Sequence, residues 1–89
     1  MATLFVRHSV ADYAAWRHVF DDLAPTQQAL GVTDTAVYQA AEDANDVTVT
    51  HDFATLEAAQ AFAGSHELKD AMHDAGVTSA PIIWFTTRA

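Results

Sequence analysis

The 89-residue sequence has no cysteine, few basic residues and no long hydrophobic run. Without cysteine the chain forms no disulfide, offers no thiolate nucleophile and provides no sulfur ligand for zinc or an iron–sulfur cluster. No stretch approaches the ~20 apolar residues that span a bilayer, and residues 1–6 carry no basic leader, so we expect a cytoplasmic protein without membrane contact. Four basic residues against 12 acidic ones give a net charge of −8, which argues against nucleic-acid binding.

Hydrophobic residues make up 51% of the chain, with three glycines and two prolines, which is the composition of a globular protein. This length predicts a single domain over residues 1–89. Such a small domain buries only ~60% of its unfolded surface, and a second subunit is one means of completing its core.

Hydrophobic periodicity predicts four strands and two helical sections. Alternating or continuous apolar residues predict strands at residues 2–9, 32–41, 47–53 and 82–88. Helical spacing predicts a section that begins after an N-cap at Asp12, breaks near Pro25 and ends at Gly31. A second section follows the N-cap Thr55, breaks at Gly64 and Ser65, and ends at Gly76, and residues 42–46 are predicted to be a polar connector.

The resulting βαββαβ order predicts a ferredoxin-like α+β fold, with a four-stranded antiparallel sheet and helices on one face. Apolar residues occupy both faces of the first and last strands, as in Leu4-Phe5-Val6 and Ile82-Ile83-Trp84-Phe85. The face without helices therefore also needs a cover. We predict that a second copy supplies it, giving a homodimer in which the sheets of two chains pack as a dimeric α+β barrel.

The chain also resembles a known superfamily. The run Val6-Arg7-His8-Ser9-Val10-Ala11-Asp12-Tyr13, followed by Trp16 and Phe20, is similar to the start of small stand-alone dimeric α+β barrel proteins. The second half of such chains resembles this one at Phe53, Thr55, Glu57, Ala58, Phe62, Glu67-Leu68, Met72, Ala75-Gly76-Val77 and Pro81. That superfamily includes cofactor-independent antibiotic-biosynthesis monooxygenases, polyketide cyclases and muconolactone isomerases. The resemblance implies a ligand cavity between the sheet and its helices, but it transfers no catalytic residue.

His8 and His51 are the candidate catalytic residues, because imidazole exchanges protons near neutral pH. Both are predicted on one face of neighbouring antiparallel strands, with His8 opposite Val47 and His51 opposite Leu4. That register separates them by more than ~10 Å, which disfavours a shared metal ion. We expect them to line two ends of one cavity, each as a general base or as a hydrogen-bond donor to a carbonyl. The alternative is a strand-end histidine bonded to backbone or water.

Aromatic side chains supply the candidate substrate-binding residues. A flat aromatic or polyketide-like ligand would be held by Tyr13, Trp16, Phe53, Phe62 and Trp84. Plain core packing explains the same residues equally well.

Two other polar groups receive a structural interpretation. His66, Asp70 and His73 share one helical face at a spacing that suits a metal, yet this face lies opposite the apolar stripe, so we interpret it as solvated and expect no metal or other cofactor. Arg7 lies on the strand face opposite His8, where we expect it to pair with an acid, for example an aspartate of the partner chain. Binding of an anionic substrate is the alternative for Arg7.

Two functions remain open. One is a cofactor-independent small-molecule enzyme of the monooxygenase, cyclase or isomerase type, acting in a sheet–helix cavity. The other is a non-catalytic dimeric domain that binds a ligand or serves as an accessory. An internal cavity reached by His8 or His51 favours the enzyme, whereas a completely filled core favours the second function.

Overall fold

The computed structural model describes residues 1–89 and has the predicted βαββαβ order, with each helical section divided into two helices. The elements are β1 Ala2–Ser9, α1 Tyr13–Asp22, α2 Ala24–Ala29, β2 Val32–Ala40, β3 Asp43–Phe53, α3 Leu56–Ala63, α4 His66–Asp74 and β4 Ile82–Thr87. The strands form one antiparallel sheet in the order β2-β3-β1-β4. The predicted ferredoxin-like fold is confirmed. None of the helices has the length and apolar character that a membrane span requires.

Local sequence signals set the ends of the helices. The side chains of Asp12, Thr55 and Ser65 each accept a hydrogen bond of 3.2 Å from the backbone N–H three residues later. These bonds satisfy donors that have no partner within the first helical turn. Gly31 follows α2 at φ +98° and Gly76 follows α4 at φ +77°, a left-handed conformation that glycine adopts without steric strain.

The register of the two central strands places both histidines under the helices. His8 pairs with Val47 and His51 pairs with Leu4, as the sequence predicts. Even-numbered residues of β1 and the odd-numbered residues of β3 from Val47 to Phe53 are buried against the helices. The imidazoles therefore share one face of the sheet but lie four residues apart along it.

Two clusters of apolar side chains form the core between sheet and helices. The larger cluster contains Leu4, Phe53 and Phe62, and the smaller one contains Trp16 and Val49. Three polar residues are buried as well: His8, Gln27 and His51. Buried polar side chains in a domain this small call for a structural or functional explanation.

The prediction of a polar connector over residues 42–46 is wrong. β3 already begins at Asp43, so only a two-residue turn joins it to β2. The polar side chains here have partners of their own: the carboxamide oxygen of Asn45 accepts the backbone N–H of Tyr13 at 3.0 Å. Their polarity thus reflects side-chain pairing at an exposed strand end, which periodicity cannot distinguish from a loop.

The sheet face away from the helices is open and partly apolar. On it Phe5 and Trp84 stack with ring centroids 4.9 Å apart. Ile82 and Tyr38 expose 60% and 58% of their surface. This exposed area is the surface that the sequence predicts to be covered by a second copy.

Arg7 also lies on the open face, where it pairs with an acid as predicted. The acid belongs to the same chain, however: the guanidinium donates to both carboxylate oxygens of Asp46, at 3.0 and 2.7 Å. The expectation of a partner-chain aspartate is therefore corrected. Asp46 became available because β3 is longer than predicted and places it diagonally across from Arg7.

Candidate functional site

A small cavity lies between the sheet and helices α1, α2 and α4. Its volume is about 30 Å³, which is room for roughly one or two water molecules. Ten of its 13 lining residues are hydrophobic, and the other three are His8, Gln27 and His51. No lining side chain is a carboxylate, an ammonium or a guanidinium, so the cavity suits an uncharged ligand.

His51 lies at one end of the cavity and is 2% exposed. Its Nε2 atom lies 3.4 Å from the side-chain nitrogen of Gln27, and its Nδ1 atom is buried without a partner. Burial lowers the pKa of His51 from 6.5 to about 4, against a smaller opposing effect of the Asp52 charge. His51 is therefore a neutral imidazole at neutral pH.

His8 lines the same cavity from β1 and is also buried. Neither of its ring nitrogens has a hydrogen-bond partner in the protein, and burial lowers its pKa. Because buried polar atoms nearly always have partners, these nitrogens and Nδ1 of His51 form an unusual group. All three lack a protein partner and belong to residues that line the cavity.

Aromatic rings connect the two histidines. The Trp16 ring meets the His8 ring edge-on at 5.9 Å and stacks on Phe20 at 5.1 Å. Phe20 in turn lies 6.4 Å from His51. Trp16 and Phe20 both line the cavity and give it a flat apolar wall between the imidazoles.

Among the predicted substrate-binding residues, Trp16 lines the cavity and three others support the lining residues from behind. Tyr13 stacks on Trp16 at 5.8 Å, Phe62 contacts His51 at 5.0 Å, and Phe53 contacts Phe62 at 5.5 Å. None of these three lines the cavity. Their contacts fix the positions of Trp16 and His51.

Trp84 does not belong to the cavity, and its predicted placement there is corrected. It pairs with Phe5 across β1 and β4 and stacks on that ring on the open face of the sheet. Because β4 is apolar at four consecutive positions, its pattern does not indicate which side chains face the helices.

Gln27 is the polar cavity residue that sequence reasoning missed, and Phe20 is an aromatic lining residue outside the predicted set. Gln27 is 4% exposed and lies on α2, the short helix that follows Pro25. A signal was present, because Leu23, Gln27 and Leu30 follow the spacing of one helical face. A single glutamine on such an apolar stripe indicates a buried polar contact.

The His66, Asp70 and His73 face of α4 is exposed to solvent, as predicted. No group of three or more histidine, cysteine, aspartate or glutamate side chains converges as metal ligands require.

Comparison with known proteins relates the chain to solved structures only. No protein-family model and no curated protein sequence matches it. A Bordetella bronchiseptica protein classed with antibiotic biosynthesis monooxygenases superposes with a TM-score of 0.84 at 13% identity, over 99% of this chain and 96% of that one. A Caulobacter crescentus protein of the same class superposes with a TM-score of 0.77 at 20% sequence identity. The superposition covers 99% of this chain and 89% of that one. SnoaB from Streptomyces nogalater, a cofactor-independent oxygenase, superposes with a TM-score of 0.75 at 19% sequence identity. The superposition covers 98% of this chain and 91% of that one.

At these identities the likeness establishes the fold. The chain has the ferredoxin-like α+β fold of antibiotic-biosynthesis-monooxygenase-like domains over nearly its whole length. The fold that the sequence resemblance implies for the single chain is thereby confirmed.

Proposed function

We propose that this chain, with the fold of those domains, is a cofactor-independent small-molecule enzyme of the monooxygenase, cyclase or isomerase type. Its substrate is an aromatic or polyketide-like compound. The observation that carries the proposal is the pair of buried imidazoles, His8 and His51, with unpartnered nitrogens beside an apolar cavity. The likeness to SnoaB, a cofactor-independent oxygenase, supports the same function.

The two histidines suit different steps. His8 has no partner on either nitrogen, so its neutral ring accepts a proton from an acidic C–H group of the substrate. His51, held neutral by burial, donates an N–H to the adjacent carbonyl oxygen, where negative charge develops. The flat wall formed by Trp16 and Phe20 holds the substrate ring by stacking against one of its faces.

In the oxygenase form of the reaction, the substrate itself supplies the electrons. Loss of a proton to His8 turns a CH₂ group into a carbanion, which reduces O₂ and forms a C–O bond to give a peroxide. The peroxide takes the proton back from His8 and loses water, so that the CH₂ group and O₂ become C=O and H₂O. Atoms and electrons balance without any further reductant.

Substrate entry requires the cavity to widen, and α4 is the element best suited to move. Residues Leu68, Ala71 and Met72 of α4 line the cavity, as does Ala75 just after the helix. Within the helix only Leu68 is buried. An outward shift of α4 therefore enlarges the cavity at the cost of few buried contacts.

Oxygen uptake tests the enzyme proposal. Anthrone is the first probe, because its CH₂ group is acidic and its anion is aromatic, and β-dicarbonyl carbon acids extend the panel. Since a positioned acid or base contributes ~10²–10⁴-fold, His8→Ala and His51→Ala should each lower kcat at least ~100-fold. The matched control His66→Ala changes an exposed histidine and should keep wild-type turnover. Activity that survives both cavity substitutions contradicts the proposal.

The size of the cavity favours a second candidate function, a non-catalytic dimeric domain that binds a ligand or serves as an accessory. A cavity with a volume of about 30 Å³ is too small for a polycyclic ring system unless a helix moves. Trp16 fluorescence in a Trp84→Phe background reports binding of anthrone in the absence of oxygen. Binding without oxygen uptake on readmission of air supports this second function.

The proposal includes a homodimer that buries the open face of the sheet. Exposed Ile82 and Trp84, with Phe5 beneath Trp84, form an apolar surface that a second copy covers. Sedimentation at micromolar concentration should give the mass of two chains. Trp84→Glu should lower it to one chain, whereas Ala14→Glu on the exposed surface of α1 should not. A wild-type mass of one chain contradicts the dimer.

A further inference from the structure

Gln27 makes the one side-chain hydrogen bond that the structure gives to His51. Its amide nitrogen lies 3.4 Å from Nε2 of the ring, and both side chains are buried. The other rings in contact with His51, Phe20 from α1 and Phe62 from α3, offer no hydrogen-bonding atom. Asp52 turns to the opposite face, where its carboxylate accepts the hydroxyl of Thr3 at 2.7 Å.

The chemistry of an amide nitrogen determines which partner donates. The structure turns the NH₂ group of Gln27 towards His51, and because an amide nitrogen only donates, Nε2 of His51 accepts the hydrogen bond in this orientation of the amide. A neutral imidazole carries one proton, and that proton then lies on Nδ1. Nδ1 is the ring atom that is buried without a protein partner.

We propose that Gln27 is a positioning residue that holds His51 in the Nδ1–H tautomer, so that Nδ1 donates a hydrogen bond to an acceptor in the cavity. The role of this tautomer in catalysis rests on the function proposed above, whereas the tautomer itself is a property of the protein alone. In that reaction His51 is the donor to a carbonyl oxygen and His8 is the base. The substrate class therefore narrows to compounds with a carbonyl oxygen next to the acidic carbon.

Other residue types at position 27 would change which ring nitrogen of His51 carries the proton. Methionine has a similar length but no amide, so it would leave Nε2 unpartnered and remove the preference for one tautomer. A glutamate carboxylate only accepts, so it would require a proton on Nε2 and thereby reverse the tautomer. Glutamate would also raise the pKa of His51, because a nearby negative charge favours the protonated ring.

Ring nitrogen shifts in protein labelled with ¹⁵N-histidine test this inference without any substrate. The His51 signals are identified by their loss in His51→Ala. In the wild type we expect a protonated Nδ1 and an unprotonated Nε2. Gln27→Glu should place a proton on Nε2, and Gln27→Met should average the two shifts. Gln28→Glu, the same charge change at an exposed position of α2, should leave them as in the wild type.

A wild-type His51 protonated on Nε2 overturns the inference, as do unchanged ring shifts in both Gln27 variants. A role of Gln27 in packing alone would alter stability in these variants but not the protonated nitrogen. Because the spectra need no substrate, they decide the tautomer separately from the oxygen-uptake assay. Full turnover in both His8→Ala and His51→Ala would refute the proposed function and leave the tautomer result standing.

Discussion

Mild acid should destabilise this protein well before its carboxylates are protonated, because His51 is buried as a neutral ring. The unfolded chain binds a proton at His51 as the pH falls through 6.5, whereas the folded chain does so only near pH 4. Between these values the unfolded state holds more protons, so the stability present above pH 6.5 is lost as the pH falls towards 4. His8 acts in the same direction, since burial lowers its pKa too.

The loss of stability in acid can be calculated from the change in the pKa of His51 on folding. A change from 6.5 to about 4, at ~1.4 kcal/mol per pKa unit, amounts to ~3 kcal/mol when the loss is complete. Single-site linkage gives a loss of ~2 kcal/mol between pH 7 and pH 5 from His51 alone. The Asp46–Arg7 pair does not add to the loss in this window, because the hydrogen bond from Arg7 lowers the pKa of Asp46 below its ordinary 3.8.

Urea unfolding at fixed protein concentration, followed by circular dichroism at pH 7, 6 and 5, measures this loss. His51→Leu should reduce the change in unfolding free energy between pH 7 and pH 5 by ~2 kcal/mol, whatever its effect on packing at pH 7. His66→Gln is the control, since that side chain is exposed on α4, and it should keep the wild-type pH dependence. If His51→Leu also keeps the wild-type pH dependence of the free energy of unfolding, protonation of His51 is not the cause of the loss of stability in acid.

Three further substitutions test the fold. Phe62→Ala empties a buried site that contacts Phe53 and should cost ~3–5 kcal/mol in urea unfolding; a loss below ~1 kcal/mol would mean that the core under α3 collapses to fill the space. Thr55→Ala removes the cap of α3 and should cost ~1 kcal/mol, with Thr55→Ser retaining most of the stability. Gly76→Ala places a Cβ at φ +77° and should lower stability by ~1–2 kcal/mol. An unchanged thermal midpoint would refute the steric argument at Gly76.

The sequence predicted the elements and the strand register well, because the signals were local. Asp12, Thr55 and Ser65 begin the helices, and alternating residues of β1 and β3 fix which side chains face the helices. Once those faces are known, the positions of His8 and His51 follow from the pleat of the sheet.

The errors arose where a residue's environment depends on distant parts of the chain. Asp46 resembled a loop residue until pairing with Arg7 explained its place in β3. Trp84 lies on a strand that is apolar on both faces, so only the pairing with Phe5 shows its side. Gln27 resembled a surface residue of a short helix, although its spacing relative to Leu23 and Leu30 indicated burial.

The strand order also has a consequence for how the chain folds during synthesis. β1 lies inside the sheet, yet one of its neighbours, β4, is translated long after it, with Ala2 paired to Thr87. A nascent chain can pair β1 with β3 but leaves the other edge of β1 without hydrogen-bonding partners. That edge is a site for mispairing with other chains until residue 87 has left the ribosome. The sheet therefore closes only after β4 has emerged and paired with β1.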